Sequence, residues 1–219
     1  DDEVVISTTA TFTALADLCI DSGIQNNIGG GAPTGGVYSG TGVTDDGNGM
    51  TYSFNPSIAG VGVTTITYMT GTGSACTAMA MDDVEVFGLP AVSFVATGTG
   101  TCINAGVQTM QDGGMPTGGM YNGAGVTDDG NGMTYTFDPA AAGVGVHPIM
   151  YTVTDGNGCS NTANLNREVF PIPDVQLVLG GSGACITAGV LAGQSGGTPS
   201  GGVYGGPGVI DDGNGMTPY

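Results

Sequence analysis

The string Thr-Asp-Asp-Gly-Asn-Gly-Met-Thr occupies residues 44–51 and returns unchanged at residues 127–134. A third copy runs from Asp211 to Thr217 and keeps the same 83-residue spacing. Other residues share this period: Pro33, Pro116 and Pro199; Tyr38, Tyr121 and Tyr204; Cys19, Cys102 and Cys185. A period of this length exceeds that of solenoid repeats and is close to the size of a small domain with its own core. The repeat therefore predicts tandem domains.

Composition and local patterns predict that each repeat is a β-sandwich. The chain has 44 glycines and 11 prolines but only 9% charged residues, a balance that favours short strands and many turns. Residues 134–137 alternate polar and aromatic side chains, as a half-buried strand does. Residues 138–143 read as one helical turn, and residues 155–158 as a tight hairpin. Six or seven strands per repeat indicate an all-β fold of tandem Ig-like β-sandwich domains of about 83 residues.

The repeats divide the chain into three segments. We place the first repeat at residues 1–88, the second at 89–171 and an incomplete third at 172–219. We expect the chain to continue or a neighbouring subunit to complete the third repeat. The linkers at residues 87–90 and 170–173 are apolar and contain proline, which predicts a restricted orientation between domains and a rod-like array.

The cysteines predict one disulfide within each complete repeat. The same 57-residue spacing separates Cys19 from Cys76 and Cys102 from Cys159. Closing a loop of this length contributes roughly 4 kcal/mol in the chain-entropy model. A metal–thiolate site would need closely spaced cysteines or histidines, which the sequence lacks. Disulfides imply an oxidising compartment. The fifth cysteine, Cys185, is left without a partner in the given sequence.

The charge pattern argues against nucleic acid as a partner and suggests that the chain binds a cation. The 19 acidic residues against one basic residue give a net charge of −18, which opposes binding to nucleic acid. The acidic turns offer carboxylate and amide oxygens of the kind that calcium prefers. The candidate calcium ligands are Asp45, Asp46, Asn48, Asp128, Asp129, Asn131, Asp211, Asp212 and Asn214. The alternative is a plain polar turn, since Asn-Gly is a strong turn former.

The sequence contains no sign of an enzyme or of a membrane span. It has no lysine, and its one histidine, His147, has no counterpart in the first repeat. No nucleophile therefore has a histidine partner that both repeats share. No apolar stretch approaches the roughly 20 residues that a transmembrane helix needs. We predict a protein without catalytic residues or a transmembrane segment.

Three motifs resemble a known family of repeats. They are Gly-Gly-x-Pro-x-Gly-Gly-x-Tyr-x-Gly-x-Gly-Val at residues 30–43, 113–126 and 196–209, Phe-Asp-Pro-Ala-Ala-Ala-Gly-Val-Gly at 137–145, and Tyr-Thr-Val-Thr-Asp-Gly-Asn-Gly-Cys at 151–159. Together they resemble the Ig-like or PKD-like repeats of large secreted surface adhesins of Bacteroidota, including gliding-motility adhesins. The resemblance implies export to the cell surface, commonly by the type IX route, and a role as a stalk, adhesin or fibre.

These observations lead to two hypotheses about function. The first is a secreted structural protein, either a rod-like segment of a cell-surface adhesin or a subunit of an extracellular filament that associates with itself. The second is a module that binds a glycan or another surface polymer on the end loops of its sandwiches. Sugar sites usually need aromatic platforms, and the chain has no tryptophan.

Overall fold

The structure is a computed structural model that describes residues 9–71, 77–95, 98, 100–178, 183–213 and 215. Its elements are almost all β-strands, joined by turns and two helical turns of four residues. This confirms the prediction of an all-β, sandwich-type fold. The repeat limits at residues 88 and 171 stay predictions. None of the helices in the described part of the chain has the length and apolar character needed to cross a bilayer.

The first repeat forms two sheets. Its elements are β1 (Leu18–Cys19), β2 (Gln25–Ile28), β3 (Val37–Ser39), β4 (Val43–Asp45), β5 (Tyr52–Phe54), α1 (Pro56–Ala59), β6 (Gly62–Thr70) and β7 (Ala78–Phe87). One sheet has the order β1-β7-β6-β3, and the other has the order β2-β5-β4. The two layers enclose the apolar core of this repeat.

The second repeat has the same two main sheets and an additional two-stranded sheet. Its elements are β8 (Ser93–Phe94), β9 (Gly100–Cys102), β10 (Gln108–Gln111), β11 (Gly114–Met115), β12 (Met120–Gly123), β13 (Val126–Asp128), β14 (Tyr135–Phe137), α2 (Pro139–Ala142), β15 (Gly145–Thr154) and β16 (Ser160–Phe170). The large sheet has the order β12-β15-β16-β9, and the smaller ones are β10-β14-β13 and β11-β8. Every strand pairing among the described residues joins strands of the same repeat.

Two local predictions are confirmed in the second repeat. Strands β15 and β16 form an antiparallel hairpin whose register runs from Gly145 opposite Val169 to Thr154 opposite Ser160. The helical turn α2 follows Asp138, whose carboxylate accepts a hydrogen bond of 2.9 Å from the backbone N–H of Ala140. This is the usual way in which an N-cap residue satisfies the free donors of a first turn.

A short parallel strand lies at the far end of the last strand in both repeats. In the first repeat, β1 is parallel to β7 and Cys19 lies opposite Phe87. In the second repeat, β9 is parallel to β16 and Cys102 lies opposite Phe170. Both cysteines therefore lie where their own repeat ends and the next segment of chain begins.

Tyrosine rings pack against one another in the core of each repeat. In the first repeat, the ring centroid of Tyr38 lies 4.7 Å from those of Tyr52 and Tyr68. In the second, the centroid of Tyr121 lies 4.6 Å from that of Tyr135 and 4.5 Å from that of Tyr151. Burial raises the pKa of Tyr52 to about 12, so this phenol stays neutral over the usual pH range. The six rings are buried in the two cores, each with at most 3% of its surface exposed.

The third repeat contributes the strands β17 (Gln176–Leu177) and β18 (Gly197–Thr198), which pair with each other. An apolar pocket of about 460 Å³ lies beside them, lined in part by Gly197 and Gly202. Their counterparts in the second repeat, Gly114 and Gly119, lie against the ring of Tyr151. The pocket therefore corresponds to the place that a tyrosine of strand β15 fills in the second repeat.

The chain's one basic residue, Arg167, is buried in the second repeat with 5% of its surface exposed. Its guanidinium donates to the amide oxygens of Gln111, at 3.0 Å, and Gln108, and lies 4.7 Å from the ring centroid of Phe137. The first repeat has valine and isoleucine, Val84 and Ile28, in place of Arg167 and Gln111, and both pack into its core. The second repeat therefore places an arginine and a glutamine where the first repeat has two apolar side chains.

This exchange predicts the effect of converting one repeat into the other. Arg167→Val alone leaves the amide oxygen of Gln111 without its donor in a partly buried site, so we expect a loss of about 2 kcal/mol. The double variant Gln111→Ile/Arg167→Val restores the apolar pair of the first repeat and should recover at least half of that loss. Urea unfolding followed by circular dichroism measures both. Equal instability of the two variants would contradict this account of the core.

Candidate functional site

The structure joins Cys19 of the first repeat to Cys159 of the second. The two Cα atoms are 5.6 Å apart, and the residues are separated by 140 positions in the sequence. The expected pairs Cys19–Cys76 and Cys102–Cys159 are therefore wrong. Cys102 and Cys185 are free and exposed, and Cys76 lies outside the described residues. The disulfide connects two repeats instead of closing a loop within one.

Strand geometry explains why the predicted pair within the second repeat does not form. Cys159 immediately precedes β16, whereas Cys102 lies opposite Phe170, the last residue of that strand. At about 3.3 Å per residue, the two ends of an eleven-residue strand are roughly 35 Å apart. The Cα atoms of a disulfide cannot be more than about 7 Å apart. Bonding these cysteines would require the sheet to come apart.

Backbone hydrogen bonds hold Cys19 at the junction. The N–H of Ile20 donates to the carbonyl of Phe87 at 2.9 Å, which fixes the chain just after Cys19 to the end of β7. The N–H of Ser22 donates to the carbonyl of Cys19 at 3.0 Å and turns the chain away. Because Phe87 leads directly into the linker, Cys19 lies beside the start of the second repeat.

A compact turn holds Cys159 on the other side of the junction. The carboxylate of Asp155 accepts hydrogen bonds from the N–H groups of Asn157, at 2.9 Å, and Cys159, at 3.0 Å. Cys159 is 1% exposed, so its side chain is buried at the contact. The amide of Asn161 donates to the carbonyl of Pro90 at 2.9 Å and ties the same hairpin to the linker. These bonds direct the hairpin towards the first repeat.

Asp155 and Asn161 were missed as functional residues by the sequence analysis. The first repeat has Thr72 and Ala78 at the corresponding positions, so the 83-residue spacing does not mark them. Asp155 was visible as part of a turn signal before a cysteine and as a conditional metal ligand, but not as a residue of the junction. Their role at the junction depends on which end of the domain the hairpin occupies, and a single sequence does not reveal that end.

The predicted calcium ligands of the first repeat lie together in one turn, where they accept hydrogen bonds. The carboxylate of Asp45 accepts from the N–H groups of Tyr38, at 2.7 Å, and Gly47, at 2.8 Å. Asp46 accepts from the hydroxyls of Thr51, at 2.6 Å, and Ser53, at 3.2 Å. The side-chain oxygen of Asn48 accepts from the N–H groups of Met50 and Thr51, both at 2.8 Å.

The other repeats place their candidate ligands in the same way. Asp128 accepts from the N–H groups of Tyr121 and Gly130, and Asp129 accepts from the hydroxyls of Thr134 and Thr136. Asn131 accepts from the N–H groups of Met133 and Thr134. In the third repeat, Asp211 accepts from Tyr204 at 2.6 Å and Gly213 at 2.7 Å, and Asp212 follows it in the chain. Asn214 lies outside the described residues.

This arrangement does not offer a formed calcium site. Calcium takes six to eight oxygen ligands, whereas the side-chain oxygens of this turn already accept hydrogen bonds from the turn and from the neighbouring strand β3. No group of three or more histidine, cysteine, aspartate or glutamate side chains that could hold a metal ion occurs among the described residues. Calcium binding at these turns stays an untested interpretation of the sequence, and the hydrogen bonds of the turn favour the alternative, a plain polar turn.

The acidic turn packs closely against a second loop of its own repeat. Gly49 has a φ of +69°, and a side chain there would lie 2.7 Å from the Cα of Gly35. The N–H of Gly35 donates to the carbonyl of Gly49 at 2.7 Å. Only glycine fits a left-handed conformation at so close an approach. The geometry supports the alternative reading of this motif, a structural turn that joins two loops.

Comparisons with known proteins do not place the chain in a family. No protein-family model matches the chain, and no curated protein matches it. It is similar to a solved structure of the extracellular cadherin domains 1–4 of protocadherin gamma B7, with 11% identity and a TM-score of 0.27. The match covers 86% of this chain, which spans 58% of the length of that one. We infer nothing about function from a likeness at this TM-score.

The hydrogen bonds of the turn predict different effects for its two aspartates. Asp45→Asn replaces one acceptor oxygen by a donor that faces a fixed backbone N–H, so we expect a loss of about 2 kcal/mol. Asp46→Asn is the matched control, because the hydroxyls of Thr51 and Ser53 can rotate to accept from the new amide. We expect its effect to stay within about 0.5 kcal/mol. Urea unfolding measures both, and a larger loss for Asp46→Asn would contradict this view of the turn.

Proposed function

We propose that this protein is an extracellular structural protein, a rod-like array of sandwich repeats that bears load and has no catalytic role. The observation that supports this most is the disulfide between Cys19 and Cys159, which fastens one repeat to the next. A disulfide is stable in an oxidising environment, and this fits secretion or display on a cell surface. The resemblance of the sequence motifs to Bacteroidota adhesin repeats favours a stalk or fibre of a bacterial surface.

The junction has two covalent connections, which is the property that a stiff array needs. One is the linker between Phe87 and Ser93, and the other is the disulfide. A single linker allows two domains to swivel, whereas two separated connections restrict their relative orientation. The apolar residues and prolines of the linker also restrict the relative orientation of the two domains.

The disulfide also limits how far a pulling force can extend the chain. A force applied at the two ends passes through the residues before Cys19, the disulfide and the residues after Cys159. The segment between the two cysteines lies outside this path, so its strands bear no tension while the bond is intact. The 140-residue separation corresponds to about 490 Å of extended chain at about 3.5 Å per residue.

Single-molecule stretching therefore tests the proposed function directly. Pulled by its ends, the oxidised chain should extend about 490 Å less than the reduced chain. Cys19→Ser should remove this difference, and Cys102→Ser is the matched control that should preserve it, since Cys102 is free. Two shorter locked segments, one from Cys19 to Cys76 and one from Cys102 to Cys159, would indicate disulfides within the repeats and would contradict the proposal.

Association with other copies is part of the same proposal. The apolar pocket of the third repeat corresponds to the position of a tyrosine from strand β15, so a continued chain or a strand from a neighbouring copy would fill it. The first alternative is a segment of a long adhesin, and the second is a filament subunit. Electron microscopy separates them, because a filament has contacts between chains and an adhesin stalk has domains along one thread.

Glycan or polymer binding on the end loops receives little support from the side chains. Six of the eight tyrosines lie in the two cores with at most 3% of their surface exposed, and the chain has no tryptophan. The aromatic surface that sugar rings usually stack on is therefore largely buried. Binding on a glycan array would bring this function back into consideration.

Melting curves test whether calcium stabilises the acidic turns. The side-chain oxygens of Asp45, Asp46 and Asn48 already accept hydrogen bonds from other groups of the protein, so we expect the melting temperature to be the same with calcium and with a chelator. The turn variant Asp45→Asn serves as a control that the measurement detects loss of the turn. A fall of several degrees on chelation would show that calcium replaces some of these hydrogen bonds and stabilises the repeats.

A further inference from the structure

Cys102 has the same backbone setting as the bonded Cys19. Each lies on a short strand parallel to the end of the last strand, opposite Phe87 in one repeat and Phe170 in the other. The N–H of Ile103 donates to the carbonyl of Phe170 at 2.9 Å, as that of Ile20 does to Phe87. The N–H of Ala105 donates to the carbonyl of Cys102 at 3.0 Å, which matches the turn after Cys19.

Cys102 differs from Cys19 in its neighbour across the junction. Cys19 faces the second repeat, which supplies Cys159, whereas Cys102 is exposed and free at the end where the third repeat begins. It cannot bond to Cys159, because that cysteine is already bonded and lies at the opposite end of β16. If the geometry of the first junction is repeated, the partner of Cys102 comes from the repeat beyond Phe170, as the partner of Cys19 comes from the repeat beyond Phe87.

We propose that Cys102 is the attachment point for the next copy of the repeat. Its thiol forms a disulfide with the cysteine that stands, in that copy, one repeat period after Cys159. The rule is then general for the array: the cysteine at the far end of each repeat bonds to the hairpin cysteine of the next repeat. This inference rests on the proposed function, and extends it from one junction to a continuous series of covalent junctions.

The bond forms by thiol–disulfide exchange with a small-molecule disulfide. One protein thiolate attacks the small disulfide, forms a mixed disulfide and releases one small thiol. The second protein thiolate then attacks the mixed disulfide and releases the other. The two protein sulfurs are oxidised, the small disulfide is reduced to two thiols, and the protons of the protein thiols are transferred to them. The exposed position of Cys102 makes the first attack accessible.

Completing the third repeat tests the inference. The chain is extended after Tyr219 with a copy of residues 137–170, which adds the hairpin cysteine of a third repeat. Cys76→Ser is included in every chain so that this thiol cannot compete. After refolding with oxidised glutathione, free thiols are alkylated and mapped by mass spectrometry. We expect Cys102 to be alkylated in the 219-residue chain and protected in the extended chain, while Cys185 is alkylated in both.

Two substitutions identify the partner. Cys102→Ser should make the added cysteine available to alkylation, and Cys185→Ser is the matched control that should leave it protected. Protection of Cys185 together with alkylation of Cys102 in the extended chain would overturn the inference, since it would place the disulfide within one repeat.

A second chain covers the case in which the extended third repeat does not fold. Here residues 172–219 are replaced by a further copy of residues 89–171, and Cys102 should again be protected. Alkylation of Cys102 in both chains, with the Cys19–Cys159 peptide present, would overturn the inference and leave the proposed function intact. Alkylation of Cys19 and Cys159 would instead remove the observation on which the proposed function rests.

Discussion

In each of the first two repeats, a short strand pairs in parallel with the end of the last strand. This pairing determines where the cysteine of the short strand lies. In the first repeat, this pairing places Cys19 opposite Phe87, at the exit of the chain towards the next repeat. If the short strand paired with the beginning of β7, Cys19 would lie at the other end of the domain. The junction, the disulfide and the proposed stiffness of the array all depend on this register.

The fold was largely predictable because its signals are local and repeated. Alternation at residues 134–137, the helical turn after Asp138 and the hairpin before Cys159 each reflect contacts between residues close in sequence. The 83-residue spacing supplied a second copy of the first two signals, at residues 51–54 and 55–60, and so strengthened them. A β-sandwich is the ordinary way in which short strands of this length bury one face.

The disulfide was not predictable because its geometry is not local. The 57-residue spacing between Cys102 and Cys159 is preserved in both repeats, yet it is preserved equally if Cys19 bonds across the junction to Cys159. Duplication copies every spacing, so regular spacing cannot distinguish a pair within a repeat from a pair between repeats. Only the direction of the short strand, parallel to its neighbour, separates the two.

The acidic turn illustrates the same limit for a binding site. Carboxylates and an amide close together in sequence are the ligands that calcium prefers, but they are also the acceptors that a tight turn needs for its backbone donors. In the structure, Asp45 accepts from Tyr38, which lies on the neighbouring strand β3, and this contact was not visible in the sequence. The position of β3 therefore determines which hydrogen bonds the carboxylate of Asp45 accepts.

The separation of the bonded cysteines has one more consequence. Since 140 exceeds the 83-residue period, successive disulfides of a series would enclose overlapping stretches of chain. A protease that cleaves one peptide bond between Cys19 and Cys159 would leave the two fragments covalently attached. An array exposed to the hydrolases of its surroundings would then tolerate a nick in its backbone without losing the part beyond it.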